Sequence, residues 1–143
     1  MSKIVLYPFS ERYVGASNVS EFRKWVASHW DAFRHDLTTA VKDDKILFSF
    51  REGEGKWIIV GEAIVLSNHK VGTEKDNCSL CKINSPYDKD FIVHIQTKDF
   101  KEYKENIDAR DEAGITLGRF GIVKPPNYAK IQEILTDDPI STF

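Results

Sequence analysis

The stretch "FSFREGEGKWIIVGEAIV", residues 48 to 65, constrains this chain most. Two runs rich in β-branched and aromatic residues flank "REGEG", whose glycines tolerate the positive φ that a tight return needs. The stretch therefore folds back on itself as an antiparallel hairpin. A lone two-stranded hairpin is marginal in water, so other apolar segments must pair with it or pack on it. Trp57 sits just past the turn, and the expectation is that it covers a helix resting on this sheet.

The remaining segments supply those partners. "KIVLYPF" reads as a first strand, "DFIVHIQ" as a later one and "GITLGRFGIV" as a final extended segment. Asn18, three residues before Glu21, opens a capping-box-like helix start. From there Phe22, Trp25, Val26, Trp30, Phe33, Leu37, Ala40 and Val41 recur in steps of three and four and describe one apolar helical face. Ser28 and Asp31 repeat the cap pattern and predict a break into two helices. "KDFKEYKENI" reads as a short helix or turn, and "PPNYAKIQEIL" as a helix with proline in its first turn. Residues 67–90 form a long polar loop of the kind that carries function. Helices do not alternate regularly with strands, which argues against a doubly wound sheet. The expected fold is α+β: a small curved sheet or barrel with flanking helices, one domain over residues 1–136, and a tail or linker start at 137–143.

With 143 residues, 41% hydrophobic and 12% aromatic, the chain has enough apolar surface for one ordinary core. No apolar run approaches the roughly 18 residues of a membrane span. The N-terminus lacks the apolar core of a signal peptide, so a cytoplasmic protein with no membrane partner is expected. The formal net charge is −2. A protein whose affinity rests on phosphate neutralisation usually carries a large basic excess. Acidic residues concentrate at 105–113 and 137–138, whereas Arg23, Lys24, Arg34, Arg51, Lys56, Arg119 and Lys124 lie near the candidate site segments.

Phosphate-loop, dinucleotide-turn, zinc-protease and nucleophile-elbow motifs are all absent from the sequence. "GEGKW" lacks the hydroxyl residue after lysine that a phosphate loop needs. His29, His35, His69 and His94 are scattered, and His94 alternates with apolar neighbours as a structural histidine would. Glu62 is either a perturbed carboxylate or a strand residue facing solvent, and the second is the expectation. "CSLC" (Cys78 and Cys81) with His69 upstream falls one ligand short of a tetrahedral zinc site, so ordinary reduced thiols are expected. With no nucleophile–base pair, the chain reads as a non-enzyme that needs no cofactor.

The ordered set "RKWVASHWDAFRHDL", "ILFSFREGEGKWIIVGEAIV", "DFIVHIQTKDF" and "ITLGRFGIVKPPNYAKI" resembles the YTH domain of the PUA-like and EVE superfamily, over roughly residues 3–135. That family holds adenine methylated on its exocyclic amine in an aromatic cage. Trp25, Ser28 and the helix after them match its order of tryptophan and Ser/Thr-capped helix, and Gly61 and Ala63 fall on its small hairpin positions. Gly118-Arg119 matches a late Gly-Arg-Asp motif, with Phe120 in place of the aspartate.

The resemblance implies a base-binding set of Trp25 as the stacking wall, Asn18 (or Gly15 in an ungapped register) on the base edge, and Ser10 against the nucleotide. Leu80 or Tyr87 would stand in for the loop tryptophan that the family uses as second wall. It further implies Arg119 and Lys124 on backbone phosphate. Each has a plainer role, with Trp25 as core and Asn18 as helix cap. The leading expectation is thus a non-catalytic module that flips 6-methyladenine out of DNA or RNA. It would be part of, or act with, a GTPase–nuclease restriction complex of the McrB type. A second reading is an EVE- or ASCH-like module for another modified base, such as 5-methylcytosine, or for RNA. A third is a small metal-dependent enzyme using Cys78, Cys81 and His69.

Overall fold

The computed structural model describes residues 2–53, 55–71, 78, 80, 92–116 and 121–136. Strand β1 (Ile4–Phe9) is followed by a single turn of helix, α1 (Glu11–Val14), and by α2 (Val19–His29). Then come β2 (Ala32–His35), the hairpin strands β3 (Lys45–Gly53) and β4 (Lys56–Lys70), β5 (Val93–Asp108), β6 (Ile122–Val123) and α3 (Pro125–Thr136). The six strands form one sheet in the order β2-β5-β4-β3-β1-β6. Only β1 and β3 run parallel; the other four neighbouring pairs are antiparallel. The expected α+β class and the 48–65 hairpin are both present.

Two apolar layers cover the sheet. On one face Tyr7, Phe9, Phe48 and Phe50 pack with Phe22 and Val26 of α2. On the other, Leu6, Leu47, Ile59, Tyr103 and Ile107 pack with Ile131 of α3. Adjacent residues of β1 and β3 thus alternate between layers, as the pleat of a strand buried on both faces requires.

The two ends of the strand order meet through side chains. The His35 ring on β2 lies 4.8 Å from Tyr7 and 5.0 Å from Phe9 of β1, both edge to face. Its Nε2–H donates to the Pro8 carbonyl at 2.7 Å, and its Nδ1 accepts the Leu37 N–H at 2.9 Å. The Tyr7 hydroxyl donates to the Leu37 carbonyl at 3.1 Å. Pro8 explains why a side chain closes this seam. Among the described residues β6 pairs with Ile4 and Val5, and none pairs with Pro8 on that side of β1. A proline has no N–H to offer there, and its one outward acceptor is met by the histidine. Among the described residues the sheet is open, with no backbone ladder between β1 and β2.

Two segments differ from the sequence expectation. Residues 32–35, expected to begin a second helix, form a strand in register with 93–96. Phe33 and His35 are buried in the seam while their neighbours are half-buried, so period two prevails there over the helical spacing. "KDFKEYKENI", expected as a helix or turn, belongs to β5. Ile59 faces Ile107 and Gly61 faces Glu102, so β5 uses five residues where β4 uses two. These bulges let Tyr103 and Ile107, four residues apart, share the α3-side layer while Phe100 packs on the α2 side. They also press Phe100 against Gly61, where an added Cβ would lie 2.9 Å from the Lys101 carbonyl and 3.0 Å from the Phe100 ring.

Two stability changes follow, each measurable by chemical denaturation. His35→Ala strands a carbonyl and an N–H and opens a gap between Tyr7 and Phe9, for an expected loss of about 2–4 kcal/mol. Gly61→Ala forces the β4–β5 bulge apart and is expected to cost about 1–3 kcal/mol.

Candidate functional site

Three of the residues that the family resemblance singled out lie near strands β1 and β2. Trp25, on the second turn of α2, is half-buried and rests on Phe9 with ring centroids 5.1 Å apart. Phe9 directly precedes Ser10 and touches His35. Arg34, next to His35, donates from a terminal guanidinium nitrogen to the Leu80 carbonyl. Trp25 therefore rests on the residue before Ser10, while Leu80 meets β2 through Arg34. Along α2, Phe22, Trp25 and His29 carry nearly parallel rings, with Trp25 at 6.0 Å from the first and 4.8 Å from the second. His29 is exposed, and its Nδ1–H donates to the Trp25 carbonyl at 2.9 Å.

The other expected site residues lie apart or serve the fold. Asn18 caps α2, accepting the Glu21 N–H at 2.9 Å, and its amide meets the Glu21 carboxylate at 3.3 Å. Gly15 ends α1 in the left-handed conformation, φ 69°. Lys124 follows Val123, which pairs with Ile4, so it sits by the opposite end of β1 from Ser10. At about 3.3 Å per residue that is roughly 20 Å away, and Lys124 is no part of the Trp25 end. Tyr87, Arg119 and Cys81 lie outside the described residues.

Arg23, one of the cations near the candidate segments, clamps α2 to β5. It bonds the Asn106 side-chain oxygen at 2.7 and 2.9 Å and the Tyr103 carbonyl at 2.7 Å. Trp57 does not cover α2; it packs in the opposite layer, on the α3 side. There it lines a cavity of about 220 Å³ with Ala109, Arg110 and Ile115. That is below the roughly 300 Å³ at which small-molecule sites begin.

Glu62 also departs from expectation, because it is buried and not turned to solvent. Its Oε1 accepts from the Tyr103 and Tyr128 hydroxyls, each at 2.8 Å, and its Oε2 pairs with Lys45 Nζ at 2.8 Å. Burial opposes its ionisation, but the bonds from Lys45, Tyr103 and Tyr128 outweigh that and hold the carboxyl below its ordinary range. The same burial, with the carboxylate alongside, pushes the Tyr103 hydroxyl up. This network joins β3, β4, β5 and α3 across the second layer. It engages both oxygens of the carboxylate in structural bonds.

His69 and Cys78, the ligands noted in the sequence, do approach one another, and His94 joins them. His94 looked structural because its neighbours alternate. The signal that identifies it is its position at the start of the strand that follows the "CSLC" segment, just as His69 stands near the end of the strand before it.

No family model matches the chain, and no curated protein matches it. Among solved structures, it is similar to a hypothetical protein from Leishmania major. The TM-score is 0.55 at 12% identity, with 96% of each chain covered. At that identity the likeness concerns the fold alone. It extends over nearly the whole length of both chains.

The Glu62 network gives a pH dependence with a definite sign. Its folded pKa lies below the unfolded value of about 4.3, so its contribution is fully present above that pH and is lost as pH falls through the folded pKa. Glu62→Gln is expected to lower stability by about 1–3 kcal/mol at pH 7 and to flatten the acid limb of a stability–pH curve.

Proposed function

We propose that the protein is a non-catalytic module of the YTH and EVE kind that binds DNA or RNA by taking a flipped base, 6-methyladenine, against Trp25. The finer fold reading, a PUA-like or YTH-like barrel, is part of this proposal. The observation that supports it best is the half-buried Trp25 indole resting on Phe9, the residue before Ser10, beside the β1–β2 seam. Trp25 and Ser10 are residues that the resemblance implied, and they belong to different elements of the fold.

A flipped base needs a π-surface, polar groups for its edge and a cation for the neighbouring phosphate. Trp25 offers a half-exposed indole anchored from below by Phe9. The exposed His29 ring, held by one hydrogen bond to its own helix, is the part of the stack that an incoming base replaces or extends. Ser10 supplies a hydroxyl, and Arg34 with the exposed Lys24 supplies positive charge. With a formal net charge of −2, stacking carries more of the affinity here than counterion release. Membership of a restriction complex is a further element of this reading, and it fits a module whose task is recognition alone.

Fluorescence anisotropy with matched oligonucleotides tests the reading. DNA and RNA strands carrying adenine, 6-methyladenine or 5-methylcytosine are compared at fixed salt. The methyladenine strand is expected to bind at least tenfold more tightly than its plain counterpart. Trp25→Ala should remove about tenfold to a hundredfold of that affinity, the worth of one stacked base. A thermal melt verifies that the variant is folded. Equal binding of methylated and plain strands overturns the proposal; preference for 5-methylcytosine replaces it with the second reading.

A further inference from the structure

His69 lies near the end of β4 and His94 near the start of β5, and the two are direct cross-strand partners. The ladder therefore sets their Cβ atoms about 4.5–5.5 Å apart on one face of the sheet. Their rings stand at 83° with centroids 5.3 Å apart. Cys78, from the segment between the strands, brings its Sγ to 3.8 Å from His94 Nδ1. One donor atom from each of the three lies within 4.8 Å of the others, and both Cys78 and His94 are fully buried.

We infer that His69, Cys78 and His94 form a zinc site. Tetrahedral zinc with Zn–S near 2.3 Å and Zn–N near 2.0–2.1 Å separates neighbouring ligand atoms by about 3.4–3.6 Å. The 3.8 Å between Cys78 Sγ and His94 Nδ1 is a few tenths of an ångström from that spacing, and donor atoms of the set as far apart as 4.8 Å close by about 1 Å on binding. One thiolate and two imidazoles form a borderline-soft set that suits zinc better than magnesium or calcium, which take oxygen. Cys81 completes a C-x-x-C spacing in the sequence but lies outside the described residues, so the site rests on the three ligands above.

On binding, the Cys78 thiol gives its proton to solvent and the thiolate and two ring nitrogens donate to the metal. No oxidation state changes. The ion would join the β4–β5 pair to the segment between them, with Cys78 and His94 buried, His69 half-buried and the fourth coordination position left to water. That tie is structural, and it stands whether or not the protein binds nucleic acid.

The test uses untagged full-length protein, so that no affinity-tag histidines contribute. Elemental analysis after expression with zinc should return about one zinc per chain, reduced at least tenfold in Cys78→Ser and in His94→Ala. Because those variants may also lose stability, the unmodified protein supplies a second measurement. Chelation should lower its Tm by several degrees, and added zinc should restore it. Cobalt added to the stripped protein should give a thiolate-to-cobalt charge-transfer band and intense tetrahedral d–d bands that Cys78→Ser lacks. Substoichiometric zinc in the purified protein, with no change in Tm on adding zinc and no cobalt spectrum, would overturn the assignment.

Discussion

The bond from His35 Nε2 to the Pro8 carbonyl, 2.7 Å long, is the contact on which the rest of this architecture depends. A six-stranded sheet with strongly bulged long strands curls, and something must terminate the curl. Backbone pairing between β1 and β2 is denied at Pro8, which brings no N–H. An imidazole can bridge the gap because it donates from one nitrogen, accepts on the other and offers an apolar ring face to Tyr7 and Phe9. Polar closure and aromatic packing thus come from a single side chain. The Ser10 end of β1, the Arg34 guanidinium and the α2 aromatic ladder all take their positions from that closure.

The two faces of the sheet use different chemistry. The face under α2 is aromatic and rigid: Phe9 alone touches Phe22, Trp25, Phe33, His35 and Phe48. Ring pairs of this kind fix orientation as well as burying area, which suits a surface that must hold one indole at a set angle. The α3 face instead carries an ionised core in which Glu62, Lys45, Tyr103 and Tyr128 satisfy one another. Such a network makes up for the water it displaces only when every member is bonded, and here each is. Arg23 is spent on docking α2 to β5.

The end of the sheet formed by β4 and β5 carries another kind of constraint. Cross-strand histidines converge there with a buried cysteine, and a long connecting segment leaves and re-enters beside them. The proposed metal tie and the proposed base-stacking wall would make different demands on the chain. The first requires ligand atoms held to within tenths of an ångström, which a β-ladder provides. The second requires only a plane with one accessible side, which the surface of a helix provides.

Much of this was legible in the order of residues. The hairpin at 48–65, the first strand, the Asn18 cap and the proline-led last helix are local matters of turn chemistry, capping and periodicity, and they formed where those rules put them. The segment at 32–35 was read as helical because the apolar residues from Phe22 to Val41 recur at intervals of three and four, and 98–107 was read as a short helix or turn. Pairing of 32–35 with 93–96 and of 98–107 with β4 makes both of them strands, and those partners are distant in sequence. Glu62 looked solvent-facing because its partners, Lys45, Tyr103 and Tyr128, come from three other elements. His94 looked merely structural because its partners stand 16 and 25 residues away. Sequence alone determined which pieces of chain are β, where α2 starts and that no basic excess drives binding. Tertiary structure decided which side chains meet, because curling a sheet brings together residues whose separation along the chain carries no information about their separation in space.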